Sequence, residues 1–275
     1  MTDFKGILFR IGDALMEAVF PTTCLVCEKL FPPPQKDYSG EDLREIAYQK
    51  VMAPFLCPTC LPGFSPAVSP ICSKCGIMFK NRYGEDRVCN DCLMTPKRFR
   101  MARSFGVYET EGTFGTAIRR LKYNEETQLA RPFQKLLLSA FLRHWDKREI
   151  DLLMPVPLHI KRFRERGFNQ AYLLFRHWHR IAEASDIDLS DIQIERSALF
   201  KIRPTPPQAS LKGRERRENV KDAFKVRKPD KIKGKRILLV DDIYTTGGTV
   251  NECTKELLKN GAEYIDILTL GRRML

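Results

Sequence analysis

Two groups of residues in this 275-residue chain have the types and spacing to do chemistry. The first is Asp241-Asp242-Ile243-Tyr244-Thr245-Thr246-Gly247-Gly248-Thr249, directly after the apolar run Arg236-Ile237-Leu238-Leu239-Val240. This order reads as a buried strand, a loop and a helix start, the place where open α/β sheets bind ligands. Two glycines let the backbone turn its N–H groups inward, the helix N-terminus adds partial positive charge, and the threonine hydroxyls add donors, a combination suited to a phosphate. Asp241 and Asp242, leaving the strand at its carboxyl end, can accept hydrogen bonds from sugar hydroxyls. Adjacent residues of an extended chain point to opposite faces, so one carboxylate can face a sugar while the other acts through water or Mg²⁺. A Gly-Gly turn alone would be a plain strand-to-helix connection; apolar strand, Asp-Asp and Gly-x-Thr together are far more specific.

The second group is Cys24-x-x-Cys27, Cys57-x-x-Cys60, Cys72-x-x-Cys75 and Cys89-x-x-Cys92, which takes eight of the nine cysteines. Metal ligation needs such paired spacing, whereas a disulfide framework does not. Eight thiolates furnish two tetrahedral zinc sites of four sulfurs each. The interval from Cys75 to Cys89 fits a zinc-ribbon knuckle pair and that from Cys27 to Cys57 holds an insertion, so the expected grouping is sequential. Redox pairs and free core cysteines are the alternatives. Closed four-cysteine sites leave no open coordination position, so zinc here should fold the module and not catalyse. Cys253, on the apolar face of a helix, is expected in the core.

The elements that must position these groups follow from periodicity. Residues 1–98 form a turn-rich, metal-stapled module, a double zinc ribbon with a short N-terminal helix and another short helix over Asp42 to Tyr48. From about Phe99 strands alternate with amphipathic helices, which argues for a parallel sheet flanked by helices over residues 99–275. Ser104 to Tyr108, Leu152 to Val156, Arg236 to Val240 and Ile265 to Leu270 read as strands. Leu129, Phe133, Leu136, Leu137, Ala140 and Phe141 mark one helix, and Ala171, Leu174, Phe175, Trp178 and Ile181 a second. Val250, Cys253, Leu257 and Leu258 mark a third, stopped by Gly261.

Charge is unevenly spread. The chain carries 47 basic and 34 acidic side chains, for a net +13; residues 201–236 hold fourteen against four, or +10, while residues 1–100 hold 13 against 11. The run from Lys212 to Arg236 suits single-stranded DNA by counterion release, with Phe224 or Tyr244 as stacking surfaces; it equally suits substrate phosphates or a solvated loop. No stretch reaches the roughly 18 to 20 apolar residues of a membrane span. Ile7 to Phe20 is interrupted by Arg10, Asp13 and Glu17 and lacks a following small-residue cleavage site, so a cytoplasmic location is expected. The four histidines form no metal or triad constellation: His177 and His179 lie on a helix, His144 is isolated, and only His159 falls near the Asp-Asp turn.

The turn resembles the signature of type I phosphoribosyltransferases, and nearly the whole chain, cysteine module included, is similar to their ComF (GntX-like) branch. Further stretches carry the resemblance: Leu121-Lys122-Tyr123; Pro155-Val156-Pro157-Leu158-His159 with Lys161-Arg162 and Arg166-Gly167-Phe168-Asn169-Gln170; and Arg203-x-Thr205-x-x-Gln208-x-x-Leu211, continuing to Arg216-x-x-Asn219-Val220 and Ala223-Phe224. The resemblance implies a type I phosphoribosyltransferase-like fold that binds phosphoribosyl pyrophosphate with Mg²⁺. It places the 5′-phosphate on Thr245, Thr246, Gly247, Gly248 and Thr249, and the ribose hydroxyls on Asp241 and Asp242. Arg162 and Arg166 become candidate pyrophosphate ligands, since guanidinium forks match phosphate oxygens, the alternative being a solvated Arg-rich helix start. Asn169 and Gln170 either orient substrate or cap a helix. The implied role is handling of single-stranded DNA in natural transformation, with other competence proteins as partners. A phosphoribosyltransferase of nucleotide metabolism or salvage and a ligand-sensing regulator are the alternatives, because one fold hosts many functions.

Overall fold

The computed structural model describes residues 22–32, 42–123, 127–205 and 219–274. The expected helix before residue 22, the stretch from Gln208 to Arg216, and Lys212, Arg214, Arg216 and Arg217 of the basic run lie outside them.

In chain order the strands are β1 (Thr22–Thr23), β2 (Leu30–Phe31), β3 (Ala102–Tyr108), β4 (Leu152–Pro155), β5 (Gln193–Ile194), β6 (Leu199–Lys201), β7 (Phe224–Val226), β8 (Arg236–Tyr244) and β9 (Tyr264–Arg273). The helices are α1 (Tyr48–Met52), α2 (Asn90–Met94), α3 (Thr113–Tyr123), α4 (Ala130–His144), α5 (Ile160–Arg166), α6 (Gln170–Leu173), α7 (Trp178–Glu183) and α8 (Gly248–Lys259). Five strands form one parallel sheet in the order β3-β9-β8-β4-β5. Its central strands are continuous apolar runs because both faces are covered. Alternation divides them cleanly: Leu238, Val240, Leu268 and Leu270 pack with Phe133, Leu137 and Phe141 of α4. Ile237, Leu239, Ile265 and Ile267 pack with Val250, Cys253 and Leu257 of α8. Each such fully buried side chain contributes about 1.5–3 kcal/mol of transfer free energy.

The expected parallel α/β architecture stands, with three local corrections. The stretch from Ala171 to Ile181 is not one helix: the chain turns between α6 and α7, where Gln134 Oε1 accepts the His177 backbone N–H at 3.0 Å. That turn lets Phe175 and Trp178 bury together, with Trp178 also against Phe141. The short helix in the module is Tyr48–Met52 and not Asp42 to Tyr48, because Asp42 Oδ1 accepts the Arg44 backbone N–H at 2.9 Å, a local turn that competes with helix. Strand β8 runs on through Asp241 and Asp242 to Tyr244, so the carboxylates lie within the strand and the loop is shorter than expected.

The cysteine-bearing segment is packed onto the sheet. Ala67 N–H donates to Phe105 O at 3.2 Å and Val107 N–H to Ser65 O at 2.8 Å, so residues 65–67 cover the outer edge of β3. Phe64 stacks on Tyr48 at 4.1 Å between centroids and meets Phe105 and Phe114 at 5.1 Å each. No described helix is long and apolar enough to cross a membrane.

Candidate sugar-phosphate site

Strands β4 and β8 are adjacent, and β8 runs four residues beyond the end of β4: Pro155 pairs with Val240, and Val156 N–H donates to Val240 O at 2.9 Å. Ligands of open parallel sheets sit outside such carboxyl ends. A cleft lined by Lys147, Arg148, Asp151, Asp188 and Arg236 lies at the opposite end of β8 and has no part in this site. After Tyr244 the chain needs only Thr245, Thr246 and Gly247 to enter α8. Gly247 has φ 77°, a left-handed conformation at the N-cap, and a methyl group there would collide with the Tyr244 hydroxyl. Thr246 Oγ1 is buried and without a hydrogen-bond partner.

Asp242 is buried, and Lys122 Nζ from the end of α3 lies 2.6 Å from its Oδ2. Burial holds the Lys122 ammonium down to about 8, opposed by Asp241 and reinforced by Arg166. Asp241, half-buried, has its carboxyl pushed up to about 7 by burial, with Lys122 and Lys201 pulling the other way. The Lys201 ammonium is lowered by burial and by Arg203 and Arg162, while Cys253 and Asp241 favour its charge. Its Nζ donates to Thr205 Oγ1 at 2.6 Å. Two carboxylates and two lysines thus share the mouth of the turn, with Arg162 and Arg166 within electrostatic reach.

Arg162 and Arg166 lie on α5, which follows β4 directly. Arg162 Nε is 3.9 Å from Glu165 Oε2, and Arg166 Nη1 donates to Gln170 Oε1 at 2.9 Å. His159 caps α5, its Nδ1 accepting the Lys161 N–H at 3.3 Å. Asn169 does cap: its Oδ1 accepts the Ala171 N–H at 3.0 Å while its Nδ2 donates to Val156 O at 3.1 Å, tying α6 to the end of β4.

Phe224 and Tyr244 are not stacking surfaces, since both are 2% exposed. Phe224 is buried on β7 against α8, and Tyr244 packs edge-on against Phe99. Several described cations of the basic run are also committed within the fold. Lys231 Nζ is 3.0 Å from Glu195 and Arg236 Nη2 2.7 Å from Asp151, while Arg227 lies over the Phe200 ring and Lys228 donates to Ser197 Oγ.

The cysteines gather as the sequential grouping requires: Cys24, Cys27, Cys57 and Cys60 in one cluster, Cys72, Cys75, Cys89 and Cys92 in the other, with all sulfurs of each within 4.8 Å of one another. Cys27 and Cys57 sulfurs are 3.6 Å apart, and Cys75 and Cys89 sulfurs 3.8 Å. A zinc–sulfur bond of about 2.3 Å sets tetrahedral sulfurs about 3.8 Å apart, so both clusters fit that ion. Backbone N–H groups of Cys75 and Cys89 donate to Cys72 Sγ at 3.3 Å each. The Cys72 thiol is held down to about 4 by the Cys75 side chain, helped by backbone N–H groups and opposed by burial. Cys253 is fully buried in the core, as expected.

Sequence reasoning assigned no role to Lys122 or Lys201. Lys122 stands inside a stretch that carries the family resemblance, a signal that could have found it. Lys201 reads as one charge in a basic run, and only tertiary pairing of His159 with Lys201 brings it to the turn.

A parallel sheet with an acidic central strand end, a left-handed glycine and a helix start is the architecture of a phosphoribosyl transferase domain, and the family model of that description matches residues 175–274. DNA utilization protein YhgH of Escherichia coli O157:H7 is 30% identical over 207 residues, covering 74% of this chain and 85% of its own length. Competence protein F of Haemophilus influenzae is 28% identical over 207 residues, covering 74% and 85%, and Competence protein ComFC of Bacillus subtilis 26% over 222 residues, covering 79% and 84%. The chain belongs to the ComF family of phosphoribosyltransferase-like proteins.

Proposed function

We propose that this protein binds phosphoribosyl pyrophosphate, or a closely related sugar-phosphate, with Mg²⁺ at Asp241 to Thr249, and that it serves the handling of single-stranded DNA during uptake. The observation that carries the ligand is the Lys122–Asp242 ion pair, with Asp241 in electrostatic reach of Lys122 and Lys201, at a strand end that opens, through a left-handed glycine, onto a twelve-residue helix. Thr245, Thr246, Gly247, Gly248 and Thr249 hold the 5′-phosphate. Asp241 and Asp242 accept from the ribose hydroxyls and, with Mg²⁺ bound, share its shell through water. Arg162 and Arg166 meet the diphosphate. Zinc in the two cysteine clusters keeps the module folded. The biological setting rests on relatives whose names speak of competence and DNA utilization.

Calorimetric titration with phosphoribosyl pyrophosphate and Mg²⁺ tests the ligand. Binding should appear in the wild type and weaken at least ~10-fold, about 1.4 kcal/mol, when Asp241 and Asp242 are both replaced by Ala. Unchanged affinity would remove the site assignment. Single-stranded DNA binding that falls steeply with salt supports the handling role. Pyrophosphate release with any nucleobase would instead place the protein among the transferases: the acceptor would bond to C1 of the ribose as pyrophosphate leaves with the C1–O electron pair.

A further inference from the structure

Arg272 lies on β9, 3% exposed, beyond the run Ile265 to Leu270 that marks this strand in the sequence. Its guanidinium joins two features of different kinds. On one side Nε donates to Cys75 O at 3.2 Å and Nη2 to Cys75 Sγ at 3.7 Å. On the other, Nη1 donates to the backbone carbonyls of Tyr244 at 3.2 Å and Thr245 at 2.6 Å, and also to Arg273 O at 3.1 Å. The guanidinium also lies 4.1 Å from the Tyr244 ring centroid, and the hydroxyl end of that ring backs Gly247. A continuous set of contacts therefore runs from a cluster sulfur to the turn.

The geometry has a directional consequence. In a trans peptide the C=O of one residue and the N–H of the next point in opposite directions. Arg272 holds the carbonyls of Tyr244 and Thr245, so the N–H groups of Thr245 and Thr246 are turned away from it. Arginine offers five N–H donors in a fixed planar fork, so it can serve the Cys75 sulfur and four carbonyls at once, more acceptors than the three donors of a lysine match. Among the described residues, only the second cysteine cluster has this arginine link to the turn; the first reaches the fold through α1, the ring stack around Phe64 and Arg120 of α3, which donates to Val26 O at 3.4 Å and pairs with Glu28.

We propose that Arg272 is a positioning residue that couples metal loading of the Cys72–Cys75–Cys89–Cys92 cluster to the order of the sugar-phosphate turn. The sugar-phosphate part of this inference rests on the function proposed above; the coupling itself does not. Coupling of this kind is reciprocal: zinc in that cluster strengthens ligand binding, and ligand strengthens zinc retention by the same factor.

The test is amide hydrogen exchange across Tyr244 to Thr249 in the full chain, with zinc content and phosphoribosyl pyrophosphate affinity measured on the same samples. Cys89→Ser weakens the second cluster without touching Arg272 and should speed exchange in the turn about 10-fold. Cys27→Ser, in the first cluster, should leave it unchanged. Arg272→Lys should retain two zinc ions per chain and normal exchange across Ile237 to Val240, yet speed exchange in the turn and weaken the ligand about 10-fold. In that background Cys89→Ser should add nothing, since a coupling routed through one residue is lost with it. Equal effects of Cys89→Ser with and without Arg272, or no effect on the turn, would overturn the proposal. If Arg272→Lys does not fold, the Cys89→Ser and Cys27→Ser comparison decides alone. A protein that shows the exchange pattern but binds no sugar-phosphate refutes the ligand and leaves the coupling standing.

Discussion

Lys122 Nζ sits 2.6 Å from Asp242 Oδ2, joining the last turn of α3 to the carboxyl end of β8. The contact is one of charge and lacks the alignment of a hydrogen bond. Their side chains are 16% and 5% exposed, so removing one partner leaves the other charge buried and uncompensated. Lys122→Met should cost about 3 kcal/mol in urea unfolding, and the double variant Lys122→Met with Asp242→Asn should recover much of that loss. Additive losses in the double variant would show that the pair contributes nothing as a pair.

The Asp241 carboxyl, pushed up to about 7 by burial, gives stability a defined pH window. Its folded-state value lies above the unfolded one, so the unfolded state releases this proton first as pH rises. The contribution of Asp241 to stability should fall between about pH 4 and pH 7 and then level off. Unfolding curves of wild type and Asp241→Asn across that range should diverge below pH 7 and run parallel above it. If Asp241 accepts from a ribose hydroxyl as a carboxylate, ligand affinity should rise through the same interval and lose that rise in Asp241→Asn.

Gly247→Ala meets two obstacles, a φ of 77° and the Tyr244 hydroxyl. A destabilisation of about 1–3 kcal/mol is expected, together with weakened sugar-phosphate binding. Thermal unfolding and titration of one preparation measure both; an unaltered affinity would show that the turn geometry is not used by the ligand.

Mass spectrometry under native conditions should count two zinc ions per chain, with the Cys72→Ser and Cys24→Ser variants each reduced to one. Chelator should lower the unfolding midpoint, since metal that binds only the folded state contributes its binding free energy to stability. Retention of both ions in either variant would mean that the replaced sulfur is not needed to hold its ion.

What could be read in the sequence was local. The Asp-Asp strand end, the glycine turn and the four Cys-x-x-Cys pairs are each defined by neighbours along the chain, and the grouping of the cysteines follows from their order. Lys122, Lys201 and Arg272 reach the turn from α3, β6 and β9; of the three only Lys122, inside Leu121-Lys122-Tyr123 of the family resemblance, carries a signal in the sequence. The break between α6 and α7 had the same origin: Ala171 to Ile181 keeps helical spacing, but Gln134 from α4 captures the His177 amide. Tyr244 looked available because an apolar run appeared to stop at Val240; pairing with β9 carries the strand on and buries the ring.

The cover that residues 65–67 lay over the rim of β3 also imposes an order of assembly. Chains fold from the N-terminus as they leave the ribosome, so this flap is made before the strand it protects. Each newly emerging β3 meets a partner already tethered to it, so copies of the chain cannot zip together through this part of the β3 rim. A fragment starting at Phe99 should lose that shelter and self-associate, which light scattering would record.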